Sequence, residues 1–78
     1  MKLPRDVSAD RLIRALSKFG YEVVRQKGSH VRLRCAGPPI HMITIPKHDP
    51  IKTGTLHAIL TEVAQIRSVT VDEIIALL

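Results

Sequence analysis

The 78-residue chain predicts an α+β fold: a three-stranded antiparallel sheet with helices on one face, in the order α-β-β-β-α(-α). Three observations carry that expectation. Apolar residues recur at helical spacing near both ends of the chain. β-Branched runs with alternating polarity fill the middle. The connections are short, which makes consecutive strands antiparallel neighbours. No repeat, low-complexity stretch or interdomain linker breaks the pattern, so residues 1–78 read as a single domain.

The first helix is expected over "VSADRLIRALSKFG". Ser8 suits the N-cap, Asp10 suits the electropositive helix start, and Gly20 is placed to end it. Leu12, Leu16 and Phe19, with Ile13 beside them, form the stripe that packs inward. "YEVVRQK" reads as a strand and "KGS" as a turn. From His30 the alternation is clean: Val31, Leu33 and Cys35 on one face, His30, Arg32 and Arg34 on the other. "AGPP" must be a loop, because consecutive prolines cannot continue a ladder. "IHMITIP" is a third strand and "KHDPIKTG" a connecting loop. "TGTLHAILTEVAQI" is the second helix, with Leu56, Ile59, Leu60, Val63 and Ile66 on one side and Thr53 or Thr55 as its cap. "TVDEIIALL" carries a capping box, Thr70 with Glu73 three residues on, and hence a short third helix.

Composition narrows the function classes. An apolar content of 45% argues against a disordered chain, and an aromatic content of 3% makes the core aliphatic, with Phe19 and Tyr21 standing alone. One cysteine, Cys35, permits neither an intramolecular disulfide nor a cysteine-based zinc site. No segment approaches a membrane span, and "MKLPRDVSAD" lacks the apolar run of a signal peptide. The expected location is therefore cytoplasmic, without a membrane partner. Twelve Lys and Arg against seven Asp and Glu give a net charge of +5, and ten of the twelve cations precede residue 50. Such a field attracts polyanions, either nucleic acid or an acidic protein surface.

If helices cover one face of the sheet, the other meets solvent and carries His30, Arg32 and Arg34, with Lys27 across the turn. Solvation alone explains polar residues on an open face, but it predicts mixed charge with Thr and Gln. A same-sign run beginning with an imidazole points instead to an anionic ligand.

The stretch "RQKGSHVRLR" at 25–34 follows a basic amphipathic helix ending in Gly, and "IPKH" at 45–48 and "IKTGTLHAIL" at 51–60 come after it. Taken together, "GSH" at 28–30, Pro-x-His at 46–48 and "GTL" at 54–56 make the chain resemble the HicA family of toxin endoribonucleases over residues 8–78. The resemblance implies a fold similar to a double-stranded-RNA-binding domain. It also implies ribosome-independent cleavage of mRNA, neutralisation by a HicB-type antitoxin, and His30 as the catalytic residue. No metal or other cofactor is implied. His41, His48 and His57 also lack the spacing and carboxylate companions of a metal site. The chain departs from the family pattern in its loops: "AGPP" stiffens the second hairpin, and "HDP" replaces a more flexible basic stretch.

The chemistry can be stated from the residues. RNA is cut without a metal when its own 2′-hydroxyl attacks the adjacent phosphorus. The protein then supplies a base, positive charge for the transition state, and a proton for the leaving oxygen. An imidazole, with an ordinary pKa of about 6.5, suits the base role. Lys27, Arg32 and Arg34 bind the phosphodiester and stabilise its developing charge, and Lys47 and His48 are further RNA contacts. Gly28 lets the backbone turn and approach a phosphate, while Ser29 either donates to that phosphate or stabilises the turn. His48, Lys27 or water is the general acid. The substrate is expected to be single-stranded or locally open RNA with weak base preference, since Tyr21 is nearly the only aromatic available for stacking. A non-catalytic RNA- or DNA-binding module, or an inactive toxin acting only through its antitoxin, is the alternative.

Overall fold

The computed structural model describes residues 3–78. Its elements are α1 (Ala9–Ser17), β1 (Tyr21–Lys27), β2 (His30–Cys35), β3 (His41–Pro46), α2 (Thr53–Arg67) and α3 (Val71–Ile75). The strands form one antiparallel sheet in the order β1-β2-β3. This is the expected α+β arrangement.

Local chemistry sets most of the boundaries. The Ser8 hydroxyl accepts from the Arg11 amide at 3.1 Å, so α1 begins where its cap dictates. Gly20 ends the following turn at φ +94°, a conformation costly for residues with a Cβ. At α3, Thr70 accepts from the Glu73 amide while the Glu73 carboxylate accepts from the Thr70 amide, a complete capping box.

The start of α2 differs from the expectation. Its cap position is Lys52, which makes no side-chain cap bond, and Thr53 is already helical. The tertiary fold fixes this start. Ile51 is buried, and its amide donates to the Val7 carbonyl at 2.8 Å, so the chain is pinned one residue ahead of the cap.

The helices lie over one face of the sheet. Val31, Leu33 and Cys35 of β2 are buried with Ile43 and Ile45 of β3, against Leu12 and Leu16 of α1 and Leu56, Leu60 and Val63 of α2. Tyr21 joins them at 1% exposure. Its ring is therefore a core residue and presents no surface for a base to stack on.

Most of β1 is uncovered. Val23 shares the inner face with its partner Leu33, yet both Val23 and Val24 are 50% exposed. The cause is the course of α1. Its start is bonded to His48, just after β3, and its end leads into Tyr21, so it crosses the sheet from the β3 side to the start of β1 and leaves the middle of β1 uncovered.

Candidate active site

Residues paired across an antiparallel ladder share a face, so the register sorts the open face into rows. The first row, at the hairpin end, is Lys27–His30–Pro46; the second is Arg25–Arg32–Thr44; the third is Glu22–Arg34–Met42. His30, Arg32, Arg34, Arg25, Lys27 and Glu22 are all exposed. Among the described residues the one ion pair is His41–Glu62, so none of these five cationic or imidazole side chains is held in an ion pair. Arg32 is oriented by donating from Nη1 to Thr44 Oγ1 at 3.0 Å.

A break in the register assembles this face. The ladder shifts between Val23 and Arg25, leaving Val24 without a partner. An unbroken ladder counted from Tyr21–Cys35 would set Arg25 opposite Val31, on the helix side. The bulge absorbs Val24 and returns Arg25 and Lys27 to the open face. Tyr21 thus stays in the core at one end of β1 while both cations stand beside His30 at the other. Arg25 is the residue that the sequence reading missed. Counting by twos back from Lys27, across the hairpin from His30, puts it on the same face.

Gly28 and Ser29 form a two-residue hairpin loop between paired Lys27 and His30. Gly28 has φ +57°, while Ser29 is not among the positive-φ residues, the pattern of a type II′ turn. Apart from its chain neighbours, nothing lies within 4 Å of the position a Gly28 Cβ would take. The Lys47 amide donates to the Ser29 carbonyl at 2.6 Å, which ties the loop after β3 to the turn. Lys47 therefore adjoins the His30 row.

His48 belongs to a neighbouring feature. Its amide donates to Pro46 at 2.9 Å and its carbonyl accepts from Ala9 at 3.1 Å, fastening its backbone to the start of α1. With Ser8, Ala9, Asp10, Lys47 and Asp49 it lines an open hollow of 220 Å³ to which no residue of the three rows contributes.

The remaining histidines are accounted for elsewhere. His41 is partly buried at the opposite end of the sheet, where Tyr21 Oη lies 2.6 Å from its Nδ1 and Glu62 Oε2 lies 2.7 Å from its Nε2. The Arg67 guanidinium sits 5.9 Å from the Tyr21 ring centroid and donates to Cys35 Sγ and the Pro39 carbonyl. Burial pushes the Tyr21 phenol above its ordinary pKa, and the nearby Arg67 charge only partly offsets that. His57 is exposed on α2. Among the described residues no three His, Cys, Asp or Glu side chains gather as a metal-binding group.

The model of the HicA toxin family of bacterial toxin–antitoxin systems matches residues 9–66, which runs from the first residue of α1 to within a residue of the end of α2. The chain belongs to the HicA toxin family. No curated protein and no solved structure matches it. HicA membership makes this chain a toxin and implies an antitoxin partner. Among the described residues of this HicA chain, no helix is long and apolar enough to cross a membrane.

Proposed function

We propose that this HicA-family chain is an endoribonuclease that cleaves single-stranded mRNA without a metal, with His30 as general acid/base, and that a HicB-type antitoxin neutralises it. One observation carries the reading. An exposed imidazole stands at the hairpin end of an open sheet face, in a row with Lys27 and one row from Arg25 and Arg32. The helix–sheet order is also the one expected of a double-stranded-RNA-binding-domain-like fold, a likeness we include in the proposal.

In the proposed reaction the 2′-hydroxyl gives its proton to the His30 imidazole as its oxygen bonds to phosphorus. The bond from phosphorus to the 5′-oxygen breaks, and that oxygen takes a proton. The products are a 2′,3′-cyclic phosphate and a free 5′-hydroxyl. Cations on the face stabilise the pentacoordinate phosphorane, which bears more charge than the ground state. Lys27 is our candidate proton donor, because it pairs directly with His30 while His48 faces the hollow beside α1. In-line attack needs a backbone free to rotate, which favours single strands over an A-form duplex. With Tyr21 buried, affinity rests on phosphates and base preference is weak.

The test is cleavage of an end-labelled single-stranded RNA by purified protein and by His30→Ala. The wild type yields cyclic-phosphate ends, and the variant loses ~10²–10⁴-fold in rate while unfolding at the same temperature. A variant retaining a tenth or more of the wild-type rate would remove His30 from the mechanism. Binding by the wild type without product would favour a nucleic-acid-binding module.

A further inference from the structure

The second row of the open face is unusual. Two arginines directly opposite each other on neighbouring strands repel and weaken the pairing. Arg25 and Arg32 are such a pair, and the bulge at Val24 is what brings them together. Neither has a carboxylate partner, since the one ion pair among the described residues lies elsewhere. Arg32 is further held by Thr44 from the third strand. The adjoining third row differs in character, with Glu22 opposite Arg34 and the half-exposed Met42 beyond it. Positive charge is thus concentrated one row away from His30.

Spacing decides what fits there. His30 and Arg32 are two residues apart on one strand, so their rows are separated by about 6.8 Å. Two peptide units place six covalent bonds between those Cα atoms. One nucleotide likewise places six bonds between successive phosphorus atoms. The two-residue repeat of β2 and the one-nucleotide repeat of an extended RNA strand are therefore commensurate. A phosphate reacting at the His30 row puts its neighbour over Arg25 and Arg32.

We propose that Arg25 and Arg32 form a two-cation clamp for the single phosphate next to the bond cleaved at His30, with the RNA strand running along β2. Guanidinium groups suit this role because each presents a planar fork of donors to phosphate oxygens. The clamp fixes the register of the strand without reading its bases. It rests on the ribonuclease reading for the position of the cleaved bond, whereas its binding signature is independent of that reading.

The experiment is a phosphate scan on a short RNA whose cleavage position has been mapped. A 2′-deoxy nucleotide at the cleaved position blocks reaction, and a neutral methylphosphonate replaces one phosphate at a time. Wild type, Arg25→Gln, Arg32→Gln, the double variant and the charge control Arg11→Gln, on the exposed side of α1, are compared by binding anisotropy after unfolding curves confirm their folds. The wild type should lose about tenfold in affinity at the one phosphate adjoining the cleaved bond. Arg25→Gln and Arg32→Gln should lose that sensitivity there and keep it elsewhere, and Arg11→Gln should keep it everywhere. The double variant should lower the salt slope by about 0.7, one phosphate's worth, and not about 1.4. Equal sensitivity of all variants at every phosphate would overturn the clamp, as would unchanged RNA binding by the double variant, which would assign the row to a protein partner. If the wild type cleaves no RNA, the ribonuclease reading falls. The clamp then stands or falls on whether both arginine variants lose sensitivity at one shared phosphate.

Discussion

Replacing Tyr21 by Phe removes one hydroxyl from a fully buried ring and leaves the rest of the side chain in place. The ring keeps its packing and its Arg67 neighbour. What goes is the 2.6 Å contact with His41 Nδ1, the middle link between β1, β3 and Glu62 of α2. A lost hydrogen bond of this kind costs ~0.5–1.5 kcal/mol, and more where the abandoned partner is buried. The His41 side chain retains only 12% exposure, so water restores little of the bond. We expect about 1–2 kcal/mol. A chain of 78 residues has a total stability of roughly 4–12 kcal/mol, so the loss is a sizeable share. Thermal unfolding followed by circular dichroism should shift down by about 4–8 °C per kcal/mol.

Alkaline titration gives the same variant a second readout. The chain has one Tyr and no Trp, so the near-ultraviolet phenolate signal reports Tyr21 alone. Burial disfavours the phenolate, so the folded protein should titrate above the ordinary value of 10.0 despite the opposing pull of Arg67. The sign follows from linkage. The folded state holds the proton more tightly than the unfolded state, so the phenol's contribution is complete below pH 10 and fades as pH rises through the folded pKa. The stability gap between wild type and Tyr21→Phe should accordingly narrow above pH 10. An unchanged unfolding temperature together with a midpoint at or below 10 would mean that the phenol is in water. The ring would then be free to stack on bases, and the reasoning for weak base preference would fail.

Two further outcomes test the turn and the last helix. At Gly28 the backbone is left-handed but the surroundings are empty, so only the φ of +57° matters. Gly28→Asn should cost under about 1 kcal/mol and Gly28→Val at least 1–2 kcal/mol by urea unfolding, with cleavage falling in step for Val because the Lys27–His30 pairing flanks the turn. Thr70→Ala breaks the capping box above buried Ile74 and should cost about 1 kcal/mol without changing the RNA cleavage rate. Equal tolerance of Val and Asn, or a Thr70→Ala protein with reduced cleavage at full stability, would contradict these assignments.

What the sequence revealed is what local periodicity encodes. The β2 alternation, the α1 stripe and the Thr70–Glu73 box depend on residues at most a few positions apart, and each is present. The features it hid are non-local. Tyr21, His41 and Glu62 are twenty or more residues apart in sequence and meet only because the register sets Tyr21 and His41 on either side of Cys35. The α2 start departs from threonine capping because Ile51 anchoring overrides it. Arg25 escapes any count from the start of β1, because the bulge at Val24 shifts the phase, and only a count back from Lys27 finds it. His30 was legible for the opposite reason. It lies two residues past a glycine turn, where phase is set afresh.

The two faces of the sheet have opposed energetics. The helix-covered face contributes the aliphatic burial that holds the chain together, with Val31, Leu33, Ile43 and Ile45 all buried there. The open face carries Arg25, Lys27, Arg32 and Arg34 against one carboxylate, Glu22 opposite Arg34, so its net positive charge opposes folding. Any polyanion that settles on it relieves that repulsion and is bound the more tightly for it. We propose that an RNA strand does so with phosphates and that the antitoxin does so with carboxylates on the same face. Under that proposal the two ligands would compete for the same guanidinium forks, and inhibition would require no change in the toxin's shape. A mutation that weakens RNA binding at Arg25 or Arg32 would carry a matching loss of affinity for the antitoxin, which would couple the two functions of this face.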